Sequence, residues 1–225
     1  MTSPASSAAT AATTGPLDLA PVVPVVIIDD IESAVPLARA LVAGGLPAVE
    51  VTLRTPAALG AIERIAAEVE GARVGAGTVL TPDQAKAAAD AGATFLVTPG
   101  CTETLYAALR DTGLDFLPGT STVSEVLRLR ELGVRDMKFF PAEASGGAPY
   151  LKSLASPVPD VRFCPTGGIT PASAPSYLAL PNVACVGGSW MLPSDAVAAR
   201  DWHTVEALAR EASRLRDKTA GSTPA

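Results

Sequence analysis

Histidine, cysteine and lysine are scarce in this sequence. Its 225 residues include one histidine, three cysteines and four lysines. A zinc site normally needs several His or Cys ligands, so we expect no metal site of this kind. We also predict that the protein needs no other cofactor. The odd number of cysteines, without a metal-binding spacing, favours reduced thiols in a reducing cytoplasm.

The sequence also lacks long apolar runs and clustered positive charge. No stretch approaches the roughly 18 apolar residues of a membrane helix, so we expect no membrane partner. The net charge is −6, with acidic and basic residues interspersed, which argues against a nucleic-acid partner.

The two ends of the chain differ in composition from the rest. Residues 1–20 are rich in Ala, Ser and Thr and contain no Lys or Arg, unlike a secretory signal. We predict a disordered, dispensable tail over residues 1–20, a single domain over 21–217, and a second disordered tail over 218–225.

Short β-rich apolar runs alternate with longer Ala- and Leu-rich stretches of helical character. This alternation is typical of repeated βα units around a parallel sheet. Eight such units in about 200 residues predict a small α/β protein with a (β/α)8 TIM barrel. The predicted strands are Val22–Ile28, Ala48–Leu53, Arg73–Ala76, Thr94–Val97, Asp115–Leu117, Asp136–Phe140, Val161–Cys164 and Val183–Val186.

Polar side chains and glycine-rich segments follow these strands, at the rim where barrel active sites form. Strand parity predicts that Glu50, Thr52 and Arg54 point inward and that Lys138 does so together with Phe140. Five glycine-bearing loops are expected at the same rim. They are Gly75–Thr78, Thr98–Gly100, Pro118–Ser121, Pro165–Gly168 and Gly187–Trp190.

Lys138 is the strongest candidate for a catalytic residue. It lies in an apolar run between Met137 and Phe139. Burial favours the neutral amine, which can attack a carbonyl and form a Schiff base. The alternatives are a snorkelling lysine, with its charged end in water, and a structural lysine in a buried ion pair.

Glu50 and Arg54 are candidate partners of that lysine. Glu50 lies between two valines, where it serves either as a proton shuttle or as a structural carboxylate paired with Arg54 or Lys138. Arg54 offers a bidentate fork to a carboxylate or phosphate, and its alternative is a solvated surface arginine.

Two adjacent glycine turns are candidates for a phosphate site. Gly167 and Gly168 follow the seventh predicted strand, and Gly187, Gly188 and Ser189 follow the eighth. Barrels often bind phosphate with backbone amides at this place, although any tight turn favours glycine.

Five segments in order closely resemble the bacterial 2-keto-3-deoxy-6-phosphogluconate (KDPG) aldolases and 4-hydroxy-2-oxoglutarate aldolases. The resemblance covers about Val22 to Arg216. Its segments are Glu50–Arg54, Gly75–Thr78, Lys138–Glu143, Arg162–Gly168 and Gly187–Trp190.

This resemblance implies a role for each candidate residue. Lys138 would be the Schiff-base lysine and Glu50 the proton shuttle. Arg54 and Thr78 would hold the pyruvyl carboxylate, Pro99 and Phe140 would line the pocket, and Thr166 would influence the reacting face of the aldehyde. The residues implied for the phosphate are Gly167, Gly168, Gly188 and Ser189.

The same resemblance implies a metal-independent lyase of the Entner-Doudoroff pathway, cytoplasmic and homotrimeric. Its products would be pyruvate and glyceraldehyde 3-phosphate. Three alternatives remain at this point. The enzyme acts by the same chemistry on 4-hydroxy-2-oxoglutarate or the phosphogalactonate epimer, it is a sugar-phosphate isomerase or epimerase, or it is a non-catalytic barrel that binds keto acids or sugar phosphates.

Overall fold

The computed structural model describes residues 15–215, in which strands and helices alternate along the chain. The strands are β1 Val22–Val26, β2 Ala48–Thr52, β3 Arg73–Gly77, β4 Phe95–Val97, β5 Asp115–Leu117, β6 Gly119–Thr120, β7 Asp136–Phe139, β8 Arg162–Pro165 and β9 Val186–Gly188. The α-helices are α1 Ala34–Ala43, α2 Ala58–Glu68, α3 Pro82–Asp90, α4 Glu103–Asp111, α5 Val123–Glu131, α6 Gly147–Leu154, α7 Ala174–Leu178, α8 Ser194–Ala198 and α9 Trp202–Ser213. Two short 3-10 helices, Pro16–Asp18 and Ile31–Ser33, complete the described elements.

All strand pairs are parallel, and the strands form two sheets. Six strands follow the order β5-β4-β3-β2-β1-β9, and three follow the order β6-β7-β8. The predicted α/β class and parallel pairing are therefore confirmed, whereas one continuous eight-stranded sheet is not. The interruption between β5 and β6 falls at Pro118, which has no N–H to contribute to a ladder.

The two sheets touch at both of their ends. Beside the interruption, the Lys138 N–H donates to the Pro118 carbonyl at 3.0 Å. At the other end, isolated parallel bridges pair Phe163 with Val183 and Thr166 with Gly187.

The last strand begins later than the sequence predicts. We expected a strand at Val183–Val186 and a loop at Gly187 and Gly188, but the strand is Val186–Gly188. The glycines suit this strand because a Cβ on Gly187 would lie 2.2 Å from Oγ1 of Thr166. Strand β6 and the short helix α8 were not predicted from the sequence.

The two faces of the strands bury different kinds of side chain. Val49 and Val51 of β2, like Met137 and Phe139 of β7, pack into the large apolar core under the helices. A second, smaller cluster lies on the inner face of the strands. Its fully or nearly fully buried members are Leu17, Val23, Ala48, Phe95, Val97, Leu117, Cys164 and Cys185.

The predicted N-terminal tail extends too far into the chain. Leu17 has no exposed surface and belongs to the inner cluster, so residues 15–20 are part of the folded unit. The neighbouring Asp18 accepts hydrogen bonds from Arg162 at 2.7 and 3.3 Å, and Arg162 also binds Asp136. Residues 1–14 and the predicted tail at 218–225 lie outside the described residues.

Threonine caps begin three of the helices that follow the strands. The hydroxyls of Thr81, Thr102 and Thr122 each accept a hydrogen bond from the N–H three residues later. These caps fix where each loop at the carboxyl end of the strands turns into a helix. Among the residues described, no helix has the length and apolarity to cross a membrane.

Candidate active site

Lys138 and Glu50 meet on the inner face, although they come from different sheets. Lys138 on β7 and Glu50 on β2 are 4% and 2% exposed. The Lys138 Nζ lies 3.4 Å from Oε1 of Glu50. Gly77 provides the space, because a Cβ at that position would lie 2.2 Å from the same oxygen.

Burial gives this amine and carboxylate a chemical capacity that an exposed pair lacks. Removing both charges from water is costly, and the low dielectric strengthens their coupling. Transfer of one proton from nitrogen to oxygen removes both charges together. A proton can pass between an amine and a carboxylate in contact, and imine formation requires such proton transfers.

An aromatic ring covers the amine. The Phe140 ring centroid lies 5.1 Å from Nζ of Lys138, and Phe140 itself is half-buried. The ring shields that side of the amine from water.

Arg54 lies near the strand end in a different conformation from the one predicted. Strand β2 ends at Thr52, so Arg54 belongs to the following turn and does not continue the inward parity. Its Nε donates to Oγ1 of Thr78 at 3.1 Å. Glu50 thus takes Lys138 as its partner, whereas the exposed guanidinium of Arg54 is oriented by Thr78.

Thr78 adopts an unusual backbone conformation immediately after β3. Its φ is 56°, in the left-handed region that glycine favours. A β-branched residue held there costs on the order of 1–3 kcal/mol. The conformation aims the Thr78 hydroxyl at Arg54.

Pro99 lies at the end of β4, half-buried, where the chain approaches β6. A Cβ on Gly119 would lie 2.3 Å from the Pro99 carbonyl oxygen. The absence of a side chain at position 119 therefore lets the Pro99 loop pack directly on the neighbouring backbone.

The predicted phosphate residues lie at adjacent strand ends. Thr166 is buried, and it is followed by Gly167 and Gly168 with φ values of 105° and 81°. Gly188 is buried at the end of β9, and Ser189 after it is exposed. Since Thr166 bridges to Gly187, the two turns are side by side. Consecutive backbone amides of this kind can bind an anion.

Comparison with known proteins assigns the chain to a family. The model of the KDPG and KHG aldolase family matches residues 15–208. The chain belongs to the KDPG and KHG aldolase family. The resemblance found in the sequence is thereby confirmed, and the chain is an aldolase of the lysine Schiff-base class.

Individual members of the family are similar over nearly their whole length. The KHG/KDPG aldolase of Escherichia coli (strain K12) is 52% identical over 196 residues, covering 87% of this chain and 92% of that protein. A structure of the KDPG aldolase from Legionella pneumophila, with pyruvate captured as a covalent carbinolamine intermediate, has a TM-score of 0.86 and 43% identity. The match covers 88% of this chain and 96% of the L. pneumophila chain. The structure of the KDPG aldolase of Zymomonas mobilis ZM4 with 3-phosphoglycerate has a TM-score of 0.83 and 50% identity. That match covers 89% of this chain and 94% of the Z. mobilis chain.

Two features of this aldolase were not predicted. A cavity of about 590 Å³ opens beside Ser189, with Asp30 and Arg200 also among its lining residues, while Lys138 is not. Behind Gly168, the Tyr177 hydroxyl donates to Oε1 of Glu143 at 2.8 Å. A local sequence pattern cannot reveal a contact that joins residues 34 positions apart.

Between residues 15 and 215, no group of three or more His, Cys, Asp or Glu side chains is arranged to hold a metal ion.

Proposed function

We propose that this chain cleaves 2-keto-3-deoxy-6-phosphogluconate to pyruvate and glyceraldehyde 3-phosphate, with Lys138 as the Schiff-base residue. The observation that carries the proposal is the buried contact of 3.4 Å between Nζ of Lys138 and Oε1 of Glu50. The E. coli relative is named a KHG/KDPG aldolase, and relatives about 50% identical are named 2-dehydro-3-deoxy-phosphogluconate aldolases.

Imine formation prepares the substrate for cleavage. The Lys138 amine attacks the C2 carbonyl carbon, Glu50 donates and accepts the protons of carbinolamine formation, and water leaves. The resulting protonated imine accepts the electron pair of the C3–C4 bond far better than a ketone does. Support comes from the L. pneumophila aldolase, which has been captured with pyruvate as a covalent carbinolamine.

Cleavage and release return the enzyme to its starting state. Glu50 removes the proton of the C4 hydroxyl, the C3–C4 bond breaks, and glyceraldehyde 3-phosphate leaves an enamine on Lys138. Glu50 then protonates the enamine at C3, and water hydrolyses the imine to pyruvate and free lysine.

Two anchors hold the substrate around the reacting carbons. Arg54 and Thr78 bind the carboxylate, while Pro99 and Phe140 line the space around C2 and C3. Thr166 contacts the aldehyde part and influences its reacting face. The phosphate is bound by the second anchor, which consists of Gly167, Gly168, Gly188 and Ser189. Binding both ends of the substrate uses binding energy to align the reacting carbons with Lys138 and Glu50. The relative solved with 3-phosphoglycerate supports a phosphorylated ligand.

We also propose a closed (β/α)8 barrel as the setting of this site. Supporting it, β5 and β6 are separated only by Pro118 and count as one strand, which gives eight in total. The bridges Phe163–Val183 and Thr166–Gly187 favour closure on the other side.

The proposal includes one catalytic domain that begins near residue 15, a homotrimer, and a cytoplasmic location. Apolar surface on α5 is consistent with an assembly, because Val123 and Leu127, one turn apart, are 39% and 43% exposed. Sedimentation equilibrium of the purified chain tests the trimer, and a monomer at micromolar concentration contradicts it.

Borohydride trapping tests the Schiff base directly. The protein is incubated with pyruvate and borohydride, digested, and analysed by peptide mass spectrometry, with an adduct expected on Lys138. Lys152→Met is the matched control, since Lys152 is an exposed lysine of α6. Lys138→Met should abolish the adduct and the Lys152 variant should retain it. An unlabelled Lys138 in the wild-type protein defeats the proposal.

Substrate comparison tests the second anchor. We expect a higher catalytic efficiency with 2-keto-3-deoxy-6-phosphogluconate than with 4-hydroxy-2-oxoglutarate or the phosphogalactonate epimer. A preference for the unphosphorylated acid would contradict the phosphate assignment at Gly167 and Gly168.

A further inference from the structure

Tyr177 and Glu143 form a hydrogen-bonded pair directly behind the glycine turn that follows β8. Tyr177 lies on α7 with 1% of its surface exposed, and its hydroxyl donates to Oε1 of Glu143 at 2.8 Å. Burial, and then the bond to this carboxylate, raise the pKa of the Tyr177 phenol. The phenol therefore stays protonated and keeps its role as donor throughout the physiological range.

Glu143 contacts the glycine turn through both its backbone and its side chain. Its N–H donates to the Gly167 carbonyl at 3.1 Å. The N–H of Ala142, one residue earlier, donates to the Thr166 carbonyl at 2.8 Å. A Cβ on Gly168 would lie 2.7 Å from Cγ of Glu143. The Glu143 side chain therefore packs against the Gly168 Cα.

A glycine turn needs such support if it is to bind an anion well. Gly167 and Gly168 both adopt positive φ, and glycine has more accessible backbone conformations than any other residue. Amides that are already aimed at the ligand avoid the ordering cost on binding. A fixed side chain packed behind Gly168 supplies that order.

We propose that the Glu143–Tyr177 hydrogen bond is a positioning device that holds the Gly167–Gly168 turn in its anion-binding conformation and thereby favours phosphorylated over unphosphorylated 2-keto acids. The inference rests on the proposed function. It assigns Glu143 and Tyr177 as positioning residues, which act on the phosphate through the backbone of the turn and not by touching the reacting carbons.

Tyr177→Phe tests the device because it removes only the hydroxyl. We expect KM for 2-keto-3-deoxy-6-phosphogluconate to rise about tenfold, as for the loss of one hydrogen bond to a charged group. The kcat for that substrate and both constants for 4-hydroxy-2-oxoglutarate should stay within about twofold. Inhibition by 3-phosphoglycerate should weaken by the same factor as KM rises.

Two further variants separate positioning from charge and from general packing. Glu143→Gln keeps an acceptor for the Tyr177 hydroxyl and should retain a nearly wild-type KM, whereas Glu143→Ala should behave like Tyr177→Phe. Tyr150→Phe is the matched control, since Tyr150 lies on the neighbouring helix α6 and its ring stacks on Phe139 of β7. It should leave both substrates unaffected.

The outcomes are distinct from those of the proposed function. Pyruvate trapping at Lys138 should persist in Tyr177→Phe, and its absence from the wild-type protein would defeat the aldolase proposal itself. Equal losses of kcat/KM on both substrates, or no change on either, overturn the positioning role. Circular dichroism at the assay temperature confirms that each variant compared is folded.

Discussion

The inner face of the strands has two ends that differ in almost every respect. Toward the amino ends of the strands, apolar side chains such as Leu17, Val23 and Ala48 pack together. Toward the carboxyl ends, the buried residues are polar or charged. They include Glu50, Thr52, Thr98, Thr120, Lys138 and Thr166. One end stabilises the fold by removing apolar surface from water, while the other buries charges at a cost in stability and thereby gains its chemistry.

The largest expected effect is on activity, at the polar end. Glu50→Gln keeps the shape of the side chain but cannot accept protons, so kcat for cleavage should fall by about 10²- to 10⁴-fold. Glu63→Gln, an exposed glutamate on α2, is the control and should be fully active. Steady-state kinetics of both variants provides the measurement. Near-normal turnover of Glu50→Gln would reduce that carboxylate to a structural partner of Lys138.

The next effect concerns the stability cost of the buried pair. Lys138→Met alone leaves the Glu50 carboxylate buried and unpaired, so the free energy of unfolding should fall by about 3–5 kcal/mol. The double variant Lys138→Met/Glu50→Met removes both charges. It should be inactive yet as stable as the wild-type protein, or more stable by about 1–4 kcal/mol.

Urea unfolding of the single and double variants measures this difference. If the double variant were less stable than Lys138→Met alone, the buried polar residues would contribute to stability. The comparison between the two ends would then fail.

At the apolar end, a substitution should affect stability and spare catalysis. Leu17→Ala removes a fully buried side chain, so the free energy of unfolding should fall by about 3 kcal/mol. Leu132→Ala is the control, because Leu132 is 45% exposed and its loss should matter by less than about 0.5 kcal/mol. At temperatures where the protein is folded, kcat/KM should be unchanged.

Deletion variants sharpen the same prediction. Removal of residues 1–14 should leave stability and activity intact, whereas removal of residues 1–20 should destabilise the protein at least as much as Leu17→Ala. Equal thermal midpoints for the two deletions would show that the inner cluster does not depend on Leu17.

The smallest effect lies outside both ends, at the start of α5. Burial acts to raise the pKa of the Glu125 carboxyl, but hydrogen bonds from the backbone and hydroxyl groups of Ser121 and Thr122 outweigh it and hold the pKa below its usual value. A carboxylate whose pKa is lowered by folding stabilises the folded state at pH values above its unfolded-state pKa. Glu125→Gln should therefore lower the free energy of unfolding by about 0.5 kcal/mol at neutral pH, after allowance for solvent screening.

This cost should disappear as the pH falls through the folded-state pKa of Glu125, below its ordinary value of 4.5. The check is the difference in urea midpoint from wild type at pH 7 and at pH 3. Glu131→Gln at the other end of α5 is the control, and a difference that grows toward low pH would contradict the sign.

Local periodicity predicted which strand residues face inward and which face the helices. Lys138 and Glu50 alternate with apolar neighbours inside short strands, so the period of two is enough to place them on the inner face. The same rule failed for Arg54, because β2 ends at Thr52 and a turn follows. Parity ceases to apply as soon as the extended conformation ends.

Features that depend on distant residues were not predictable in this way. Gly187 and Gly188 suggest a loop by composition, yet they form a strand because Thr166 packs against Gly187. Leu17 lies in a segment dominated by small residues, and its burial depends on side chains from strands far along the chain. The left-handed conformation of Thr78 likewise has no local signal, since threonine does not favour it.

The link between Asp18 and Arg162 spans 144 residues and has a consequence for the order of events during synthesis. The segment that carries Leu17 and Asp18 leaves the ribosome well before its partners Arg162, Cys164 and Cys185 are made. Chains grow from the N-terminus at about 5–20 residues per second, so this segment waits on the order of ten seconds for its binding site to exist. The first described residues of the chain are thus among the last that can reach their final position.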